Sequence, residues 1–195
     1  MGEIVLIGDS IRMGYQATVK AELADLPYAI WCPEENGGNT VNLLTYFHLW
    51  IQRRQPALVH INAGLHDLKT IYYGARQNLI PVEHYRQNVR KLLQAIQTTT
   101  QAKIIWALTT PVQDAAHNTA HKEWQDFCRY DADVPLYNAA ASSICQELGV
   151  AVNDLCSVAR EAGLAKIQTA DGVHYNETGC AILGKVVAKF IRATL

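Results

Sequence analysis

The chain has 195 residues and a formal net charge of −1 at pH 7, and 49% of its residues are hydrophobic. This length predicts a single domain over residues 1–195, and the apolar content excludes general disorder. The near-zero charge argues against binding to nucleic acid or to an anionic membrane surface, and no apolar stretch is long enough to span a bilayer.

Apolar runs alternate with amphipathic stretches along the chain. In order, the pattern predicts strand Ile4–Gly8, helix Met13–Leu26, strand Tyr28–Cys32, helix Val41–Arg54, strand Ala57–Asn62, helix Val82–Gln97, strand Lys103–Leu108, a long connection to about Ala132, helix Val134–Gly149 capped by Asp133, strand Val150–Asp154 and helix Glu177–Thr194. Apolar stripes predict the buried faces of two helices: Tyr85, Val89, Leu92, Leu93 and Ile96 in one, and Ile182, Leu183, Val186, Val187, Phe190 and Ile191 in the other.

Strands of nearly continuous aliphatic residues, each followed by a helix, are typical of a parallel sheet that is covered on both faces. The fold class is therefore predicted as α/β, a three-layer α/β/α sandwich whose five-stranded parallel sheet has the order 2-1-3-4-5. In such open sheets, ligands bind outside the carboxyl ends of the strands. Functional residues are therefore expected directly after strands.

Five widely spaced cysteines occur without any CxxC pair: Cys32, Cys128, Cys145, Cys156 and Cys180. An odd number of isolated cysteines favours reduced thiols over a disulfide framework. Glu3 and Asp9 fall where a signal peptide would be apolar, so no signal peptide is expected. Together these features predict a cytoplasmic protein.

Gly8-Asp9-Ser10 follows the first predicted strand and precedes the first predicted helix. Ser10 is thereby placed at the carboxyl end of a strand and near a helix N-terminus, where unpaired backbone N–H groups favour negative charge. This is a suitable position for a nucleophile. Taken alone, however, Gly-Asp-Ser is more typical of a turn that caps a helix.

Polar segments also occur at other strand ends and before the last helix: Asn36-Gly37-Gly38-Asn39-Thr40, Asn62-Ala63-Gly64-Leu65-His66-Asp67 and Asp171-Gly172-Val173-His174. A serine, a glycine loop, a further side-chain donor and an Asp-His pair are the groups that acyl transfer requires. An Asp three residues before a His can turn back onto the imidazole and fix its tautomer. The alternative for Asp171-Gly172 is a simple turn, with His174 on the surface.

Four blocks resemble, in this order and over nearly the whole chain, those of the SGNH or GDSL hydrolase superfamily: Gly8-Asp9-Ser10, Gly38-Asn39-Thr40, Gly64-Leu65-His66-Asp67 and Asp171-Gly172-Val173-His174. The resemblance implies that Ser10 is the nucleophile, His174 the general base and Asp171 the group that orients His174. It also implies that the backbone N–H groups of Ser10 and Gly38 donate to the oxyanion.

The third oxyanion donor of that family is the Asn of a Gly-x-Asn-Asp block, and here His66 occupies its place. An imidazole N–H donates a hydrogen bond as an amide does, but it is expected to titrate. A His at a strand end is also compatible with a purely structural bond to a loop carbonyl.

Several other residues have alternative interpretations. Asp9 and Asp67 are predicted to hold turns through backbone N–H groups. A metal site at His117 and His121 is disfavoured because no third ligand accompanies them, and no metal or organic cofactor is expected. Four aromatic residues in or near the connections are candidates for lining a substrate pocket or for simple packing: Trp31, Tyr72, Tyr73 and Trp124.

The resemblance implies a serine esterase or acylhydrolase. It would cleave small acyl esters, acetyl or short-chain, through an acyl-Ser10 intermediate that water hydrolyses, with a carbohydrate as one candidate alcohol. The expected partner is a small-molecule ester. One alternative is an acyltransferase that uses the same intermediate. Another is a catalytically silent binding module, for which His66 is the only hint. An α/β-hydrolase is excluded because no Gly-x-Ser-x-Gly motif is present.

Overall fold

The computed structural model describes residues 2–72, 75–120 and 127–195. Its strands are β1 (Gly2–Ile7), β2 (Tyr28–Trp31), β3 (Leu58–Asn62), β4 (Thr70–Tyr72), β5 (Arg76–Asn78), β6 (Lys103–Ala107) and β7 (Ala151–Asn153). Its helices are α1 (Ser10–Glu22), α2 (Thr40–Thr45), α3 (Val82–Thr99), α4 (Asp114–Ala120), α5 (Val134–Leu148), α6 (Leu155–Ala162), α7 (Leu164–Ile167) and α8 (Glu177–Thr194).

The central sheet has five parallel strands in the order β2-β1-β3-β6-β7. Counted along the chain without the short hairpin β4-β5, this is the predicted order 2-1-3-4-5, so the predicted fold class is confirmed. All five residues of β3 are buried, as expected for a strand with helices on both faces. The order reverses at β1, and at this reversal the strand ends leave a crevice for ligands.

The helices pack in two groups, α1 with α8 on one side of the sheet and α3 with α2 and α5 on the other. The predicted apolar stripe of α3 is fully buried. Helices α1 and α8 approach closely because Gly184 has no side chain. A Cβ atom at Gly184 would lie 2.5 Å from Cβ of Thr18. This close approach fixes the loop before α8 relative to the start of α1.

The predicted helix Val41–Arg54 is not continuous. Helix α2 ends at Thr45, and a π-helical segment, His48–Gln52, follows it. The wider turn buries Trp50 and Ile51 and leaves His48 exposed. A single 3.6-residue period could not predict this change of face.

The connections before α3 and before α5 contain more structure than the sequence predicts, since hairpin β4-β5 lies in the first and helix α4 in the second, where loops are expected. The Asp133 side chain also differs from expectation, because it makes no capping hydrogen bond to α5. Its carboxylate instead accepts from Arg76 at 2.6 Å and from Asn78 at 3.1 Å. Asp133 therefore joins the hairpin to the start of α5.

Within the described ranges, no helix combines the length and apolar character needed to cross a bilayer. No cluster of three or more His, Cys, Asp or Glu residues that could hold a metal ion occurs in those ranges either. His121 lies outside the described residues. His117 is buried, and its ring nitrogens contact the Asp171 carbonyl oxygen and the Arg129 guanidinium.

Candidate active site

Ser10 is the first residue of α1, directly after the turn that follows β1. The Asp9 carboxylate fixes this turn, since it accepts from the Ile11 N–H at 3.0 Å and from the Asn62 amide at 2.9 Å. Asn62 occupies the space beside Gly8, where a Cβ atom would lie 1.8 Å from its Oδ1. The Gly8-Asp9-Ser10 turn is therefore held against the end of β3, and Asp9 has the structural role that the sequence predicts.

Ser10, His174 and Asp171 form a chain of hydrogen bonds. The Ser10 Oγ lies 2.8 Å from Nε2 of His174, and Nδ1 of His174 lies 2.5 Å from Oδ2 of Asp171. The structure thus brings together the three residues that the sequence placed in a triad. Ser10 begins α1 and His174 lies just before α8. The packing of these two helices therefore sets the distance between the Ser10 hydroxyl and the His174 imidazole.

The direction of these hydrogen bonds follows from the charge of Asp171. Burial alone would raise its pKa, but the carboxylate accepts from the His174 ring, from the Val173 and His174 N–H groups and from the Thr169 hydroxyl. These bonds hold the pKa of Asp171 well below its ordinary value. An ionised carboxylate only accepts, so Nδ1 of His174 carries the proton. In the neutral imidazole Nε2 then accepts from the Ser10 hydroxyl.

The glycine loop after β2 is fastened to the turn that precedes Ser10. The Gly37 N–H donates to the Gly8 carbonyl at 2.8 Å. The buried Arg12 guanidinium donates to the carbonyls of Pro33, Glu35 and Gly8. The sequence pattern predicts no role for Arg12. The signal that could have indicated one is its position, since it places a cation on the inward face of a helix.

Asp67 fastens the far end of the same loop. Its Oδ1 accepts from the Thr40 N–H at 3.0 Å and from the Thr40 hydroxyl at 2.5 Å. Burial raises the pKa of Asp67 to about 7, although the bonds from Thr40 act in the opposite direction. Asp67 therefore joins the loop after β2 to the loop after β3, and the backbone bond agrees with the structural role predicted for it.

The Gly38 N–H, predicted as an oxyanion donor, already has a partner. It donates to Oδ1 of Asn36 at 2.8 Å, while Gly38 itself adopts a positive φ of 63°. This is the local turn that Asn favours, in which its side chain binds a backbone N–H two residues later. The expectation of a free donor is corrected accordingly, because Gly38 can reach an oxyanion only by sharing or exchanging this bond.

His66 lies beside Ser10 and His174, with its side chain mostly buried. Burial lowers its pKa to about 3, and the charges of Lys69, Arg129 and His174 act in the same direction. The expectation that His66 titrates is therefore wrong, because the imidazole stays neutral above about pH 4. Its side chain has no hydrogen bond to any residue of the described ranges, so its single N–H is available to a ligand.

Replacing His66 with Asn is expected to retain most of any esterase activity and to leave the pH dependence of kcat unchanged. The reason is that each side chain offers an uncharged N–H donor across the neutral range. His66→Ala removes the donor, and a loss of about 100- to 1,000-fold in kcat is expected. Stopped-time assays between pH 5 and 9 measure both variants. Equal losses for Asn and Ala would contradict a role limited to hydrogen-bond donation.

Two cavities meet at Ser10 and His174. The smaller, about 170 Å³, is largely apolar. Its other lining residues are Ile11, Gly14, Tyr175, Cys180 and Leu183. The larger, about 260 Å³, is lined mainly by polar side chains. Its other lining residues are Asn36, His66, Lys69, Phe127 and Arg129. A wider depression of about 530 Å³, beside Glu3 and Arg54, lies near the amino end of β1 and contains no nucleophile.

Among the described residues, the aromatic side chains predicted to line the pocket, Trp31 and Tyr72, line neither cavity. Tyr72 is exposed, and its hydroxyl lies 2.7 Å from that of Tyr130, outside both cavities. The guanidinium of Arg54 stacks on Trp31, and its central carbon lies 3.6 Å from the centre of the Trp31 ring. Tyr73 and Trp124 lie outside the described residues.

Comparison with known proteins identifies relatives over most of the chain. The model of the GDSL-like lipase/acylhydrolase family matches residues 6–182. A GDSL esterase/lipase of Arabidopsis thaliana is 25% identical over 71% of this chain and 55% of its own length. One of Oryza sativa subsp. japonica is 22% identical over 71% of this chain and 54% of its own length. The chain thus spans about half the length of these curated relatives.

Solved structures resemble the chain over almost its full length. The lipase/acylhydrolase of Enterococcus faecalis superposes with a TM-score of 0.82 at 21% identity, over 99% of this chain and 96% of its own. An acetylxylan esterase of Geobacillus stearothermophilus, crystallised as a catalytic mutant, gives a TM-score of 0.76 at 16% identity, over 97% and 94%. At these identities the likeness shows a shared fold.

Proposed function

The chain belongs to the GDSL-like lipase/acylhydrolase family, and from this premise we propose that it is a serine esterase that cleaves small acyl esters. The observation that supports the proposal most directly is the chain of hydrogen bonds from Ser10 through His174 to Asp171, beside two cavities. A serine hydroxyl is a poor nucleophile at neutral pH unless a base accepts its proton. Here the base is in contact, and a carboxylate orients it.

In the proposed reaction, Oγ of Ser10 attacks the ester carbonyl carbon while its proton passes to Nε2 of His174. The carbonyl oxygen becomes an oxyanion and the imidazolium faces the ionised Asp171. Collapse of the tetrahedral intermediate breaks the bond to the alcohol, which leaves with the proton from His174. Water then attacks the acyl-Ser10 ester with His174 again as base, and the carboxylic acid is released.

The oxyanion needs donors that are already oriented, since preorganised N–H groups do not have to rearrange as charge develops. The Ser10 N–H is one candidate, because the first N–H groups of a helix have no intrahelical carbonyl to bind. The N–H of neutral His66 is the second. Gly38 is the third, on condition that its N–H leaves or shares the bond to Asn36. The N-terminus of α1 adds a favourable dipole.

The sizes of the cavities favour small substituents on the ester. Pockets for drug-sized ligands have volumes of about 300–1,000 Å³, and the two cavities here measure about 170 and 260 Å³. The apolar one suits a short acyl chain and the polar one suits a hydrophilic alcohol. The similarity to an acetylxylan esterase supports an O-acetyl group on a carbohydrate as a candidate substrate.

The test is hydrolysis of p-nitrophenyl esters from acetyl to decanoyl. We expect kcat/KM to be highest for acetyl to butyryl and to fall roughly tenfold or more for chains that exceed the cavity, since a misfit methylene costs about 1–3 kcal/mol. A maximum at decanoyl would contradict the assignment to small esters. Turnover that requires an added alcohol acceptor would indicate an acyltransferase instead.

A further inference from the structure

The polar cavity beside Ser10 is lined by two cations, Lys69 and Arg129, for which the described residues provide no ion pair. Other arginines of the chain do have carboxylate partners, for example Arg54 with Glu3 and Arg192 with Asp25. Arg129 is only 6% exposed. A buried charge is unfavourable unless it is paired, and no carboxylate of the described residues lines this cavity to pair with the two cations.

Arg129 is held in place by neutral groups. Its Nε donates to the Leu65 carbonyl at 2.7 Å, its Nη1 lies 3.1 Å from Nε2 of His117, and its backbone N–H donates to Asn118 at 3.0 Å. In the described part of the chain, Nη2 has no hydrogen-bond partner. The guanidinium is therefore held in a fixed orientation. Its Nη2 group remains able to donate hydrogen bonds, and the Arg129 side chain lines the cavity.

Lys69 lies close to the same guanidinium. Its Nζ is 4.0 Å from the centre of the Phe127 ring, and the Arg129 guanidinium carbon is 5.0 Å from that centre. Burial, together with the positive charge of Arg129, lowers the pKa of Lys69 to about 8. Two like charges that share one aromatic ring repel each other, and an anion between them would relieve this repulsion.

Among the described residues, the carboxylates that attract Arg129 already bind other groups. Asp9 and Asp171 attract Arg129 electrostatically, but the Asp9 carboxylate binds Ile11 and Asn62, and that of Asp171 binds His174. The remaining polar residues of the cavity, Asn36 and His66, are neutral. The cavity therefore has two positive charges and two hydrogen-bonding groups next to the reacting serine.

We propose that this cavity binds an anionic group of the ester substrate, a carboxylate or a phosphate, through Lys69 and Arg129. The inference rests on the proposed esterase function and narrows it to charged esters. Guanidinium and ammonium groups are the side chains that recognise carboxylate and phosphate in proteins. Because Ser10 and His174 line the same cavity, an anion bound there belongs to the molecule that carries the scissile ester.

The test compares two pairs of esters that differ in charge. Mono-4-nitrophenyl glutarate against 4-nitrophenyl pentanoate places the charge on the acyl side, and 3-acetoxybenzoate against phenyl acetate places it on the alcohol side. We expect wild-type kcat/KM to favour the charged member of one pair by about tenfold or more, which corresponds to at least about 1.4 kcal/mol. The pair that responds identifies the side of the ester that carries the anion.

Lys69→Met tests the role of the cation while keeping the length of the side chain. The variant is expected to lower kcat/KM for the charged ester at least about tenfold more than for the neutral ester, mainly through KM, and Lys69→Arg is expected to restore the preference. Lys189→Met is the matched control, since it removes the same charge from an exposed position on α8. Arg129 is left unchanged because its bonds to Leu65 and His117 hold two loops.

Calorimetric titration with glutarate and with inorganic phosphate gives a readout that is independent of turnover. Binding that weakens at least tenfold in Lys69→Met supports the anion site. The inference is overturned if neither probe binds, if both proteins bind equally, or if active enzyme shows no preference in either pair. If no ester is hydrolysed while glutarate binding still depends on Lys69, the proposed esterase function fails and the anion site stands.

Discussion

Ser10→Ala is expected to reduce kcat for p-nitrophenyl acetate by roughly 10³- to 10⁶-fold, the range found when a triad nucleophile is removed. Within the described residues, the Ser10 hydroxyl is the only nucleophile hydrogen-bonded to the His174 ring. The variant therefore cannot form the acyl-Ser10 intermediate, and it retains only the groups that donate hydrogen bonds to the oxyanion. Initial rates measure the loss. Intact-protein mass after mixing with substrate should show an added acetyl group on the wild-type chain and none on the variant.

Ser143→Ala provides the control for Ser10→Ala. Ser143 is exposed on α5, where alanine is a better helix former, so neither stability nor rate should fall. Hydrolysis that persists in Ser10→Ala, with the acetyl group found on another residue, would refute the assignment of Ser10 as nucleophile.

Asp171→Asn is expected to lower kcat by about 10³- to 10⁴-fold with little change in KM. Asparagine retains a carbonyl oxygen for the Val173 and His174 N–H groups, so the turn keeps its backbone bonds. Its amide also donates, however, and can bind Nδ1 of His174 in the wrong tautomer, with the proton on Nε2. The imidazole then cannot accept the Ser10 proton, and the charge that stabilises the imidazolium is lost.

Asp154→Asn makes the same chemical change at a site that caps α6, where the carboxylate accepts from the Ser157 N–H at 2.9 Å. Asparagine caps helices as well as aspartate does, so activity within about twofold of wild type is expected. Thermal unfolding of both variants shows whether each is folded. A folded Asp171→Asn protein with near wild-type kcat would remove Asp171 from the mechanism.

The sequence predicted the sheet because long aliphatic runs and long helical stripes each carry a clear period. The bounds of α8 match the prediction, and α3 extends it by two residues at its end. The elements that it missed are short. Strands β4 and β5 have three residues each and α4 has seven, which is too few for a period to show. The π-helical segment was missed because it changes the period itself.

The candidate site was predicted unevenly for a similar reason. Ser10, Asp171 and His174 belong to short motifs at element ends, and chain order places such motifs at one edge of the sheet. Lys69 and Arg129 come from two separate connections, which the backbone hydrogen bonds between Thr70 and Cys128 bring together. No spacing of residues in the sequence predicts that these two side chains line one cavity. The hydrogen bond of the Gly38 N–H to Asn36 could have been predicted from the local sequence, since Asn two residues before a glycine favours an Asx turn.

The close packing of α1 against α8 has a consequence for protein synthesis. Ser10 and His174 are 164 residues apart, and the chain between them forms most of the sheet before the loop that carries His174 is made. During synthesis, the N-terminal part of a domain emerges first. A ribosome-bound chain that lacks α8 therefore displays the serine hydroxyl without its base. On the proposed mechanism, the nascent protein stays inert towards esters until α8 docks.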